Sequence, residues 1–288
     1  MRTTDLPDGQ PVPVLGLGTW RMGEDPRREA QELRALRSAL EIGYRLVDTA
    51  EMYGEGGAER MVGQAVAAAV LAGTVRREDL FIVSKVYPHN ASERGVQAAC
   101  ARSLKRLGLD YLDLYLLHWP GNHPLAATVA GFESLRAQGL IRHWGVSNFD
   151  VDDMERLWAL PTPRHRTVGC SVNQVYYSPS QRGIEFALAP LLAAHRVPVM
   201  AYSPTDQGKL ALDPVLSTIG ARHEASAVQV ALAWILTQPH VIAIPKAVEE
   251  RHLRENFAAL TLRLDAADRR AIDAHFPPPE GPQPLAML

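Results

Sequence analysis

Asp48, Tyr53, Lys85 and His118 stand at, or just past, the ends of short apolar runs, and together they could form a site that reduces a carbonyl group. The runs are YRLVD closing on Asp48, LFIVSK closing on Lys85 and YLDLYLLH closing on His118, with Tyr53 in the loop TAEMYGEGG beyond the first. Carbonyl reduction needs a hydride on carbon and a proton on oxygen. A phenol with its ordinary pKa of about 10 is a poor acid at neutral pH. Tyr53 therefore needs a neighbour: the ammonium of Lys85 favours the phenolate and eases release of the proton, while Asp48 keeps Lys85 charged and in place. His118 offers a hydrogen-bond donor where negative charge develops on the substrate oxygen. A positioned acid supplies on the order of 10² to 10⁴ in rate, so alignment of hydride donor and carbonyl must supply the rest.

Plainer readings exist for each residue alone. Asp48 and Lys85 form an ordinary ion pair at a rim in many proteins, and a loop tyrosine can simply pack beneath one. A metal-dependent hydrolase is the competing enzyme class, with His118 and Asp48 as ligands. Such a centre needs several converging imidazoles or carboxylates. Of the histidines considered, His118 alone falls at a strand end, whereas His89, His123, His143 and His165 fall in loops or on flanks, so no metal is expected.

These side chains need a frame that brings strand ends together. Eight apolar runs read as buried strands: 14–18, 46–49, 81–85, 112–118, 142–147, 170–174, 198–202 and 241–245. Helical patterns separate them. Asp25-Pro26 marks one helix start, Asp150 with Asp153 another, and Ser226 with Gln229 a third. Gly43 and Gly108 follow two helix ends, where a left-handed cap is wanted. Within 92–107, Val96, Ala99, Cys100, Ser103 and Leu107 recur at three- and four-residue steps, the stripe of a helix lying on a sheet. Eight such units predict an α/β fold, a (β/α)₈ barrel whose chemistry sits at the carboxyl ends of the strands. Pro7, Asp8 and Gly9 between β-prone pieces predict a hairpin before the first barrel strand, placed to plug the barrel bottom. Residues 1–288 read as one barrel domain, with an irregular tail from about residue 276 (FPPPEGPQP).

Composition narrows the function classes. The 288 residues carry 30 basic and 32 acidic side chains, a formal charge of -2, too balanced for a surface built to hold nucleic acid. The pair RR at 27–28 and the run RHR at 164–166 read as solvated faces. No apolar stretch has the length of a membrane span, and MRTTDLPDGQ lacks the apolar core of a signal peptide, which predicts a cytoplasmic protein without a membrane partner. Cys100 and Cys170 fall in a predicted helix and a predicted strand and read as small core residues.

The strings GLGTWRMG, VDTAEMYGEGGAE, VSKV, LYLLHWP, GVSNF, NQVYYS, AYSP and IPKA occur in this order across nearly the whole chain. In them the sequence resembles the aldo-keto reductases, in particular a short bacterial branch that reduces small aldehydes and dicarbonyls such as methylglyoxal. The resemblance implies a barrel that binds NADPH without a Rossmann fingerprint, and no GxGxxG follows a strand here. It also gives Asp48, Tyr53, Lys85 and His118 the catalytic roles argued above. Ser147, Asn148 and Gln174 match the trio that hydrogen-bonds the nicotinamide amide, and Tyr202 the aromatic that stacks on the nicotinamide ring. Gly18, Thr19, Trp20 and Asp48, then Ser203, Pro204 and Ile244, fall on further cofactor-lining positions.

In IPKAVEERHLRENF, Lys246 corresponds to the charge partner of the adenosine 2′-phosphate, with Glu255 and Asn256 near adenine. Ala247 stands where a serine is frequent, and His252 where arginine is, so NADPH with some use of NADH is expected. Trp20, Tyr87 and Trp119 are expected to wall the substrate pocket. The loop SPTDQGKLALDP is short, which predicts an open site with loose selection among small carbonyl substrates. A monomer is expected. The alternative is a nicotinamide-binding regulatory or redox-sensing subunit, a role that some relatives have.

Overall fold

In the computed structural model, which describes residues 2–161 and 169–288, the chain opens with an antiparallel hairpin of β1 (Thr3–Asp5) and β2 (Pro11–Pro13). Eight parallel strands follow, each hydrogen-bonded to the next in sequence: β3 (Leu17–Gly18), β4 (Leu46–Asp48), β5 (Phe81–Val86), β6 (Leu112–Leu117), β7 (Ile141–Ser147), β8 (Asn173–Tyr176), β9 (Val199–Tyr202) and β10 (Val241–Ala243). A parallel bridge from Leu15 to Ala243 joins the two ends of this series. The Gly16 and Gly18 N–H groups donate there to the carbonyls of Ala243 and Pro245. The sheet is thus an α/β barrel. A side chain at Gly18 would collide with the Ile244 carbonyl, which is why a glycine stands at this seam.

Helices α1 (Glu29–Ile42), α2 (Gly57–Leu71), α3 (Glu93–Leu107), α4 (Leu125–Ala137), α5 (Val151–Trp158) and α6 (Leu188–Ala194) follow β3 to β8 in turn. After β9 come α7 (Pro214–Arg222) and α8 (Ala227–Thr237), and after β10 come α9 (Glu250–Ala258) and α10 (Ala266–His275). Caps set several starts. Ser92 accepts from the Gly95 N–H, and both Asp150/Asp153 and Ser226/Gln229 form reciprocal capping boxes. Gly108 ends α3 at φ 63°, and the expected stripe of that helix is buried throughout.

Some expectations shift. Asp25 does not start a helix: it accepts from the Arg27 N–H and holds a turn, and α1 begins at Glu29. Cys170 is buried but precedes its strand, because residues 171 and 172 bond β7 alone and β9 pairs only from Asn173 onward. The first barrel strand is likewise reduced to Leu17–Gly18. His143 lies within β7, not on a flank, and is buried at the foot of the barrel near Phe81. His165 and the run 164–166 lie outside the described residues.

The larger core fills the layer between barrel and helices. A second cluster fills the barrel itself, with Leu46, Phe81, Val83, Leu114, Leu116, Met200 and Ile242. Leu6 and Val12 of the hairpin belong to it, 2% and 0% exposed, so the hairpin plugs the bottom as expected. Asp8 in its turn lies 3.5 Å from His143. No described helix is long and apolar enough to cross a membrane. Beyond His275 the chain has no regular element; Arg182 ties it down by donating to the Phe276 carbonyl at 2.7 Å.

Candidate active site

At the opposite end of the barrel the strand termini surround a cleft of about 770 Å³. Three members of the predicted cluster, Asp48, Tyr53 and His118, line its floor, with Lys85 buried beneath them. β4 delivers Asp48 and β5 delivers Lys85; the parallel register pairs Asp48 with Val83, so Lys85 stands two residues further on, on the same face of the sheet. Lys85 is fully buried and spends all three ammonium N–H donors: on Asp48 Oδ2 at 2.7 Å, on the Thr49 carbonyl at 3.0 Å and on the Tyr53 hydroxyl at 3.2 Å. Tyr53 sits in the β4–α2 loop, its ring 5.7 Å from that of His118 and edge-on to it. The four groups therefore do converge.

Their electrostatics differ from the expectation in one respect. Burial, reinforced by the charge of Asp48, raises the pKa of Tyr53 well above that of a free phenol. The ammonium of Lys85 does not reverse this, because Asp48 neutralises much of its field. Burial lowers the pKa of Lys85, with Asp48 and then Glu59 opposing. His118 is held well below an ordinary imidazole, first by burial and then by Lys85, so it is neutral and keeps one N–H donor. Both Asp48 oxygens are occupied, since Oδ1 accepts from Gln174 Nε2 at 2.8 Å. The cluster thus holds a phenol that keeps its proton until strong negative charge appears beside it.

The cofactor residues inferred from resemblance mostly line the cleft. Asn148 adopts φ 58°, a left-handed backbone, and its amide donates to the His118 carbonyl while its oxygen accepts from the Tyr202 hydroxyl at 2.9 Å. Ser147 donates to the Gln174 carbonyl at 2.8 Å. Tyr202 is backed by the ring of Tyr176, stacked at 5.6 Å. Gly18, Trp20, Ser203, Pro204 and Ile244 complete this half. In the other half stand Lys246, Ala247, His252, Glu255 and Asn256. Lys246 has no ion pair among the described residues; loss of water and the nearby Arg28 and Arg21 lower its pKa, against Glu32 and Glu24. Asn256 is buried, yet its amide has no hydrogen bond among the described residues and lines the cleft. A platform aromatic, a set of amide partners, a cation without an ion pair and a free amide fit a nicotinamide dinucleotide carrying a phosphate.

Thr19 does not line the cleft, since its hydroxyl donates to the Asp48 carbonyl. Tyr87 does not wall it either. The hydroxyl of Tyr87 reaches Glu55, and its ring stands edge-on behind Trp119 at 6.0 Å. Sequence reasoning missed Arg21, Met52, Arg251, Met287 and Leu288, all of which line the cleft. Arg21 lies over the Trp20 ring, and Arg251 donates to the His252 ring at 3.0 Å. Adjacency to Trp20 and His252 was the available signal for these two. Nothing local announces Met287 or Leu288, which arrive when the tail folds back over the mouth.

The sequence profile of the aldo/keto reductase family matches residues 14–276. The chain belongs to this family. This aldo/keto reductase is 45% identical over 282 residues to methylglyoxal reductase YeaE of Escherichia coli K12, covering 96% of the chain and 95% of the relative. It is 35% identical to glyoxal reductase of Bacillus subtilis 168, over 94% and 92% of the two chains. Among solved structures, an aldo/keto reductase from Klebsiella pneumoniae in complex with NADP and acetate superposes with a TM-score of 0.92 at 41% identity, covering 99% of each chain.

Proposed function

We propose that this aldo/keto reductase reduces small aldehydes and ketones, dicarbonyls of the methylglyoxal type among them, to alcohols with NADPH. The observation that carries the reading is the threefold grip on Lys85, which places its ammonium 3.2 Å from the Tyr53 hydroxyl at the floor of the cleft. When bound, NADPH supplies the hydride. Lys85 donates to the Tyr53 oxygen, so the phenolic proton is turned toward the cleft. Burial and Asp48 keep that proton in place until charge builds on the carbonyl oxygen. As the proton moves across, the ammonium of Lys85 stabilises the phenolate left behind. Neutral His118 donates its N–H to the same substrate oxygen and orients it.

In this reading Ser147, Asn148 and Gln174 hold the nicotinamide amide and Tyr202 takes the ring. Lys246 faces the 2′-phosphate, supported by Arg251 and His252, with Glu255 and Asn256 beside adenine. Ala247 offers no hydroxyl to the phosphate, so NADH is accepted at lower efficiency. Trp20, Trp119 and Met52 form apolar walls for a small substrate. One chain supplies every group named, so a monomer suffices, and the unpaired thiols of Cys100 and Cys170 accord with a cytoplasmic setting.

The test is NADPH consumption with methylglyoxal and a panel of small aldehydes, alongside Tyr53→Phe. Aldehyde-dependent oxidation in the parent and its collapse in the variant are expected. No aldehyde-dependent oxidation in the parent would overturn the reading.

A further inference from the structure

We infer that Arg106 is a positioning residue for the proton donor, acting through the loop that carries Tyr53. This rests on the reading of Tyr53 as the acid. The loop has little regular structure of its own. Immediately after Tyr53, three successive residues take left-handed backbone, Gly54 at φ 58°, Glu55 at 48° and Gly56 at 79°. Lys85 and turn hydrogen bonds such as the Ala58 N–H to the Tyr53 carbonyl hold the inner side of this turn; its outer side rests on another residue.

Arg106, in the last turn of α3, sits directly behind it. Its side chain passes under Gly56, where an added Cβ would run into Arg106 Cδ. Its Nε donates to Glu59 at the start of α2, and its Nη2 donates to Ser103 at 3.2 Å. The same guanidinium lies 4.0 Å from Glu51, within the acid loop. Glu59 is wholly buried and also accepts from Ser84, the neighbour of Lys85, at 2.6 Å. Glu51, 6% exposed, accepts from the Tyr87 N–H at 2.8 Å and from Asn90 at 3.0 Å, which fastens the acid loop to the loop beyond β5.

Two buried carboxylates on either side of Tyr53 thus converge on one planar cation. Arg102 reaches Glu51 at 3.6 Å from a half-exposed position, but among the described residues Arg106 alone touches both acids. The planar guanidinium hydrogen-bonds Glu59 through Nε while its Nη2 lies at ion-pair distance from Glu51, a spread that an ammonium does not match. Without it, buried Glu59 keeps the Ser84 hydroxyl but loses its cation, Glu51 keeps Arg102, and the strap joining the two ends of the loop is gone. Arg106 does not line the cleft, so cofactor and substrate never meet it. Its effect passes through Tyr53.

The experiment is a double-mutant cycle on kcat with NADPH and methylglyoxal, using Arg106→Met, Tyr53→Phe and the double variant, with NADPH affinity read from quenching of protein fluorescence. Arg106→Met should lower kcat about 30-fold, the scale of a displacement near one ångström, and leave NADPH affinity within about twofold. In the Tyr53→Phe background the same change should cost less than about twofold, since the group being positioned is gone. Equal losses in both backgrounds, or a matching loss of NADPH affinity, would overturn the inference. If the methionine variant does not fold, Arg106→Lys enters the same cycle, with about a fivefold loss expected. Full activity in Arg106→Lys would reduce Arg106 to a structural ion pair. A Tyr53→Phe enzyme of normal turnover would remove Tyr53 as the acid. Loss in that variant beside full activity in Arg106→Met would remove the positioning role alone.

Discussion

Gln174 on β8 donates to Asp48 on β4 across the barrel, 2.8 Å from nitrogen to oxygen. A residue assigned to the nicotinamide amide therefore also braces the carboxylate that braces Lys85. On the proposed reading, cofactor platform and proton donor share one side chain. Gln174→Leu should for this reason weaken NADPH binding and lower kcat together, each by about tenfold, the value of one lost hydrogen bond to a charged group. Binding and single-turnover rates measured separately check this; loss of binding alone would uncouple the two roles.

Tyr53→Phe removes only the transferable proton and one acceptor of Lys85. Turnover should fall by at least about 10², with NADPH affinity nearly unchanged, because the phenol acts on the bound carbonyl. Near-normal turnover would exclude Tyr53 as the donor.

The pH profile separates two accounts of that proton. Had Lys85 depressed the phenol, activity would decline on a basic limb well below pH 10. Burial and Asp48 raise it instead, so the protonated acid persists past the ordinary value of about 10, and depressed His118 stays neutral down through about 6.5. At saturating NADPH, kcat should stay level between those limits. Stability follows the same signs. The unfolded chain gives up the tyrosine proton first above about pH 10 and takes up the histidine proton first below about 6.5, so both groups withdraw stability outside that window. Urea titrations across pH check it.

Lys246→Met should raise the KM for NADPH by roughly 1.5 to 3 kcal/mol while leaving NADH almost untouched. Equal losses for the two cofactors would point to a folding defect.

Leu6→Ala empties part of the barrel foot, far from the cleft. A loss of about 3 kcal/mol in unfolding free energy, with kcat unchanged, is expected from chemical denaturation.

The strand ends were legible because β5 and β6 are buried on both faces and therefore appear as mostly apolar runs, broken only by Asp113 in β6 and Ser84 in β5 before Lys85 and His118. Capping boxes at Asp150 and Ser226 were legible because their chemistry is local. Asp25 was misread as a helix cap since the same side chain holds a tight turn equally well. Tyr87 was misplaced because its direction is set by Glu51 and Glu55, on another loop. The pKa of Tyr53 depends on burial and on Asp48 together, and neither weight can be taken from residue order. Met287 and Leu288 reach the cleft only through the path of the tail, which no periodicity encodes.

The hairpin that fills the foot of the barrel also makes the catalytic chamber a dead end. Leu6 and Val12 fill the foot from below, and Lys85 and Asp48 are buried between that plug and the cleft. On the proposed reading, once Tyr53 has given its proton away, the replacement is expected to come by the mouth through which the alcohol leaves. Refilling the acid then waits on product departure. In a rapid-mixing trace with a pH indicator, proton uptake should lag behind NADPH oxidation, and the lag should lengthen with alcohols that dissociate slowly.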